Sequence, residues 1–238
     1  MTETLAALLF AHVLADFVLQ TGWIAANKAR PGVLVLHGAV VLATAQAALG
    51  RADAWELPVL ALVHVATDAV KARFGNRALG GFLADQGAHV AAILALAAWR
   101  PDLWPGGAWA GTLWLPWMMA LAAGFVVATR AGGFAVGFLM QPWAANAPDG
   151  LPNGGKLIGL LERGLIFLLV LVGQPAGIGF LIAAKSVLRF EATSKDQHRG
   201  EYVIIGTLAS FAWALVFAYL TVWLMAALPP LEIAPAAH

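Results

Sequence analysis

The sequence contains no cysteine, only two tyrosines, and few charges: Asp, Glu, Lys and Arg make up 11% of its 238 residues. Without cysteine there is no disulfide framework, thiolate metal site, iron–sulfur cluster or cysteine nucleophile, and cysteine usage says nothing about the redox compartment. A soluble domain carries about 25% charged residues, so the scarcity of charge disfavours a soluble globular enzyme and a disordered chain alike. The 14 Lys and Arg balance 13 Asp and Glu to a net charge of +1, which leaves no electrostatic footprint for a nucleic acid. What remains is apolar: 61% of residues are hydrophobic and the mean hydropathy is +0.79. The composition is that of an all-α, polytopic transmembrane helical bundle.

A membrane span needs roughly 20 mostly apolar residues, and the chain divides into about eight such stretches: 4–21, 33–49, 57–73, 80–98, 109–129, 157–174, 176–190 and 202–228. The first is read as a permanent helix, because Met1 to Glu3 carries no basic residue and Asp16 interrupts the apolar run. Arg30-Pro31-Gly32, Gly50, Gly80-Gly81, Pro101, Pro105-Gly106-Gly107 and Gln174-Pro175 supply the turns. Segment 131–156 is rich in Gly, Pro and Asn and is expected to interrupt the helices, as an interfacial segment joining an N-terminal bundle, 1–130, to C-terminal membrane helices, 131–238.

Threading eight spans alternately through a bilayer gathers Lys28, Arg30, Lys71, Arg73, Arg77, Arg130, Lys156, Arg189, Lys195 and Arg199 toward one side, against Arg51 and Arg100 on the other. The excess of basic residues makes the first side cytoplasmic and places both termini outside. Trp55, Trp99, Trp104 and Trp109 gather at the outer side as an aromatic belt.

Ionisable residues inside apolar spans are costly and mark functional sites. Three spans carry a His and an Asp four residues apart: His12 and Asp16, His64 and Asp68, Asp85 and His89. That spacing puts both side chains on one helical face, one turn apart. The order reverses in the fourth span, as antiparallel packing requires if the imidazoles are to share one depth and the carboxylates another. Three carboxylates in a low-dielectric layer need neutralising. His12, His64, His89, Asp16, Asp68 and Asp85 are therefore candidate ligands of a divalent metal ion, zinc first, with manganese or ferrous iron as alternatives. Gln20, Gln86 and His37 are candidate outer partners that orient the ligands. The alternative for each pair is a His hydrogen-bonded to the Asp on its own helix.

HVLADFVLQTGWIAANK, from His12 to Lys28, with LVHVATDAVKARF and FLADQGAHV, resembles the conserved blocks of a bacterial inner-membrane family known only as a domain of unknown function. The resemblance covers roughly the first 100 residues. LLERGLIFLLVL, IGFLIAAKSVLRF and EYVIIGTLASF resemble the extension of its longer members. The His-x3-Asp pairs are more distantly similar to the membrane-bound metal-dependent hydrolases, although the adjacent His-Arg and Thr-His-Ser pattern of that group is absent. These resemblances imply a multi-pass protein of the bacterial inner membrane.

The C-terminal half carries Glu162, Arg163, Lys185, Arg189 and Glu201 toward the cytoplasmic side. They read either as a buried ion-pair network or as a surface for a phosphate headgroup, with Lys71, Lys185 and Arg189 as candidate substrate contacts. Together these features lead to the expectation of a metal-dependent hydrolase of a lipid or lipid-linked phosphate ester. Its metal site would face the cytoplasm, and one of Asp16, Asp68 and Asp85 would act as catalytic base. A transition-metal or proton-coupled transporter and a structural subunit of a membrane complex are the rival classes. The expected partners are membrane lipids, and beyond them a second copy of the chain or a larger membrane complex.

Overall fold

A computed structural model describes residues 1–75, 78–147, 151–193 and 197–231, with backbone alone for 186–193; Arg77, Lys195 and the side chain of Arg189 lie outside the described residues. Among these residues every regular element is helical. Helix α1, Thr2–Val13, runs into a π-helical turn, Leu14–Leu19, and is followed by short α2, Gly22–Asn27, then α3, Pro31–Leu49, α4, Glu56–Phe74, and α5, Leu79–Trp99. Helix α6, Trp114–Val126, continues through a second π turn, Val127–Ala131, into α7, Gly132–Met140. Helices α8, Gly154–Leu171, α9, Gly177–Thr193, and α10, Gln197–Ala226, follow.

Among the described residues, five helical runs are long and apolar enough to cross a membrane: Thr2–Leu19, Pro31–Leu49, Leu79–Trp99, Trp114–Asn146 and Gln197–Ala226. The chain thus has the character of a multi-pass membrane protein, with five qualifying runs where the sequence suggested about eight. The expected spans at 57–73, 157–174 and 176–190 are helices as well, but do not qualify by length and apolar character. The break expected after residue 129 does not occur. The π turn carries the helix forward, and Gly132 and Gly133 serve packing: a Cβ at Gly132 would lie 2.7 Å from the Trp213 ring, and one at Gly133 3.2 Å from the Arg163 guanidinium.

The chain divides into two compact units, one comprising the described residues of Met1–Gly75, Asp85–Ala123 and Thr221–His238, the other Asn76–Ala84 and Gly124–Leu220. In the first unit a large apolar core gathers Leu5, Leu8, Leu49, Leu57, Leu96, Leu103 and Trp104. All of these lie at or beside the α1 N-terminus, the α3 C-terminus, the α4 N-terminus and the α5 C-terminus, and burial of such side chains away from the polar groups stabilises each by about 1.5–3 kcal/mol. Trp104 is 1% exposed and belongs to this core, its backbone N–H donating to Thr4 Oγ1. Of the expected aromatic belt, Trp55, Trp99 and Trp109 remain exposed.

Turn chemistry sets how the helices enter the site. Gly50 closes α3 in the left-handed region, φ 64°, its own amide donating to Ala47 O and that of Arg51 to Gln46 O, an arrangement that glycine adopts without strain. Thr21 Oγ1 caps α2 by accepting from the Ile24 amide, at the turn after the first span that precedes Lys28, whose ammonium reaches Asp68 on α4. Gly38 lets α3 and α4 approach closely, since a Cβ there would stand 2.6 Å from Val65 Cγ2.

Candidate metal centre

Four helices deliver the polar residues, all of which lie in the first unit. Helix α1 and its π turn carry His12 and Asp16, α3 carries His37, α4 carries His64 and Asp68, and α5 carries Asp85, Gln86 and His89. All six His and Asp of the paired motifs are buried, between 2% and 8% exposed, and His37 is fully buried. The π turn closes with the Gln20 amide bonded to Ala15 O, five residues back. Such turns are rare and recur at functional sites; this one encloses Asp16.

The imidazoles cluster as the antiparallel reading requires. The His64 and His89 rings stack with centroids 3.9 Å apart, and His12 lies 5.5 Å from His64 and 5.2 Å from His89. His37, read from the sequence as an outer partner, presents its Nε2 3.2 Å from His64 Nε2. Asp16 Oδ1 stands 3.2 Å from both nitrogens, and Asp68 Oδ2 stands 3.4 Å from both. Two triangles of ligand atoms therefore share the His37–His64 edge. A triangle with edges of about 3.3 Å has its corners about 1.9 Å from its centre, a spacing of donor atoms that fits the zinc–nitrogen and zinc–oxygen range of about 2.0–2.2 Å.

Hydrogen bonding alone leaves this cluster unsatisfied. His12 Nδ1, Asp16 Oδ1, Gln20 Oε1, His37 Nδ1, Asp85 Oδ1 and His89 Nε2 are buried without a hydrogen-bond partner, and each such group carries a desolvation penalty of about 1–3 kcal/mol. The other contacts hold the ligands in place. Gln86 donates to Asp16 Oδ2 at 3.3 Å and to Asp85 Oδ2 at 3.2 Å, while its Oε1 lies 3.2 Å from His12 Nε2. Lys28 Nζ donates to both oxygens of Asp68 at 2.9 and 2.8 Å, and Lys71 Nζ donates to Asp85 Oδ2 at 2.6 Å.

The two lysines change the charge argument drawn from the sequence. They offset two of the three carboxylates, so one divalent cation takes the cluster past neutrality. Lys28 carries no signal in helical spacing: its neighbourhood in the sequence is polar, and only the turn through Thr21 places its ammonium on Asp68. Among the described residues, three groups could hold a metal ion: His12, Asp16 and His64; His37, His64 and Asp68; and Asp68, Asp85 and His89.

Above the imidazoles, toward the apolar core, lies a small cavity of about 20 Å³ lined by Leu8, His12, Val41, Leu60, His64, His89 and Ile93 among others. It has room for about one water molecule.

The second unit holds the C-terminal polar residues. Lys185 Nζ donates to Glu162 Oε2 at 2.7 Å. Buried Arg163 donates from Nε to the Thr129 carbonyl and from Nη1 to Ser210 Oγ, each at 3.0 Å. Trp213 Nε1 donates to the Val127 carbonyl at 3.0 Å. Carbonyls of the second π turn are thus taken up by side chains.

No curated protein and no solved structure matches the chain. Residues 4–104, which include every His and Asp of the cluster, match the family described as Protein of unknown function (DUF3307). The N-terminal stretch that builds the candidate centre is therefore the part of the chain that matches that uncharacterised family.

Proposed function

We propose that the chain is a membrane-embedded, metal-dependent hydrolase acting on a lipid or lipid-linked phosphate ester, in the bacterial inner membrane with its site opening to the cytoplasm. The observation that carries this reading is the convergence, among buried apolar helices, of two imidazole nitrogens 3.2 Å apart with two carboxylate oxygens, one 3.2 Å and the other 3.4 Å from both nitrogens. Nitrogen and carboxylate ligands at these spacings suit zinc. Three protein ligands leave a coordination position open, which is the arrangement of catalytic zinc rather than structural zinc.

In this reading His37, His64 and Asp68 would hold the ion, and the chemistry supplied with it bound would be a more acidic water and a polarised ester. Asp16, whose Oδ1 is buried without a hydrogen-bond partner, is placed to accept a proton as general base. Gln86 fixes its other oxygen. Lys28 and Lys71, with side chains 16% and 38% exposed, form the polar mouth and suit a phosphate by charge-assisted hydrogen bonds. The apolar lining of the cavity, Leu8, Leu60 and Ile93, belongs to or packs against the apolar core, and apolar surroundings on that side support hydrolysis over passage of an ion.

The test is elemental analysis of the purified chain, followed by phosphate release from detergent micelles containing phosphatidic acid, with and without chelator. One zinc per chain and chelator-sensitive release are expected, with release lost in Asp16→Asn. A protein that carries and binds no divalent metal overturns the reading.

A further inference from the structure

The proposed ion uses one end of the cluster, yet the unsatisfied atoms extend to the other. Asp85 Oδ1 and His89 Nε2 face each other at 3.6 Å, one turn apart on α5, and neither has a hydrogen-bond partner. Both residues are more than nine-tenths buried, at 6% and 3% exposed. Asp68 Oδ1 lies 3.9 Å from the same nitrogen, while Asp68 Oδ2 belongs to the His37–His64 triangle. A cation already sits at the rim of this group. It is the Lys71 ammonium, 2.6 Å from Asp85 Oδ2, on a side chain 38% exposed.

We infer that Asp68, Asp85 and His89 form a second cation position, joined to the first through the two oxygens of Asp68, and that the Lys71 ammonium is its built-in competitor. This rests on the proposal that the cluster holds a divalent cation. The reason is electrostatic. With Lys28 and Lys71 in place, the three carboxylates retain one negative charge, and the first ion makes the cluster positive. A second ion therefore enters only when Lys71 leaves Asp85, and its exposed flexible stem allows the ammonium to reach the polar rim. The second position is accordingly the weaker one. Two cations sharing a carboxylate are suited to a phosphate ester, whose attacking and leaving oxygens they clamp together.

The test is calorimetric titration of the full-length chain in detergent with zinc, with elemental analysis after dialysis at matched free zinc. Wild type is expected to bind one ion tightly and a second more weakly. Lys71→Met removes the competing charge and tightens the second site by roughly tenfold or more, leaving the first tight. Asp85→Asn and His89→Gln are each expected to bind a single ion; using both guards against one variant that fails to fold. One ion in wild type and still one in Lys71→Met overturns the second position while leaving the proposed function standing. Two ions in folded Asp85→Asn and in folded His89→Gln overturn it equally. No ion in any form sinks the proposed function itself, a result distinct from both.

Discussion

In the second unit Arg163 is buried, yet its guanidinium reaches the Thr129 carbonyl and Ser210, and Lys185 meets Glu162. In the first unit Asp16, His37, Asp85 and His89 are equally buried, yet each keeps an atom without a hydrogen-bond partner. Among the described residues, every unpartnered buried side-chain atom belongs to the first unit. One of these is on Glu56, whose carboxylate is ion-paired with Arg100, and the rest belong to the His/Asp cluster and adjoining Gln20. Polar groups that satisfy one another fix helix packing. Polar groups held close together and left unsatisfied are arranged for something else, and a cation is the simplest species that satisfies carboxylate oxygens and neutral imidazoles at once.

The sharpest way to break this comparison is His64→Ala. It removes an atom common to both triangles, and its metal affinity should fall by more than the roughly 10–100-fold typical of outer partners, measured by competition with a chromophoric chelator. Retained metal and unchanged chelator sensitivity would return the cluster to a hydrogen-bonded network. Next in size, Gln86→Ala should weaken metal by about 10–100-fold with a smaller effect on folding, because it frees Asp16 and Asp85 without removing a ligand.

Arg163→Met sharpens the other side of the comparison. It leaves the Thr129 carbonyl and Ser210 unpartnered and should cost about 1–3 kcal/mol in unfolding measured in detergent, with metal content unchanged; Lys185→Ala should likewise spare the metal. Metal loss from Arg163→Met would mean that the two units do not divide the labour as described.

The smallest effect is expected at Asp102, where the Arg100 guanidinium holds an exposed carboxylate down to about 2. A depressed pKa contributes stability above the unfolded value of roughly 4 and loses it as the pH falls through the folded value. Asp102→Asn should therefore lie close to wild type at every pH, with the small difference in Tm closing between pH 4 and 2. A widening gap would contradict the exposed pairing.

Much of this was legible from spacing. The His-x3-Asp and Asp-x3-His pairs place partners on single helical faces whatever the tertiary context, so the meeting of α1, α4 and α5 followed once the helices packed antiparallel. Glycine in 131–156 misled, because helix-breaking and close packing use the same residue, and only the Trp213 and Arg163 side chains reveal which applies here.

What the sequence determined by itself was the helical, membrane-type character of the chain and the one-face pairing of its intramembrane acids and imidazoles, because composition and the 3.6-residue period are local properties. What the tertiary structure decided was which of those atoms meet. Gly38 draws α3 onto α4 and sets His37 against His64; the π turn shifts the register around Asp16; the chain reversal at Thr21 brings Lys28 to Asp68 across 40 positions. Each depends on a distance between helices, and no periodicity within one helix encodes it.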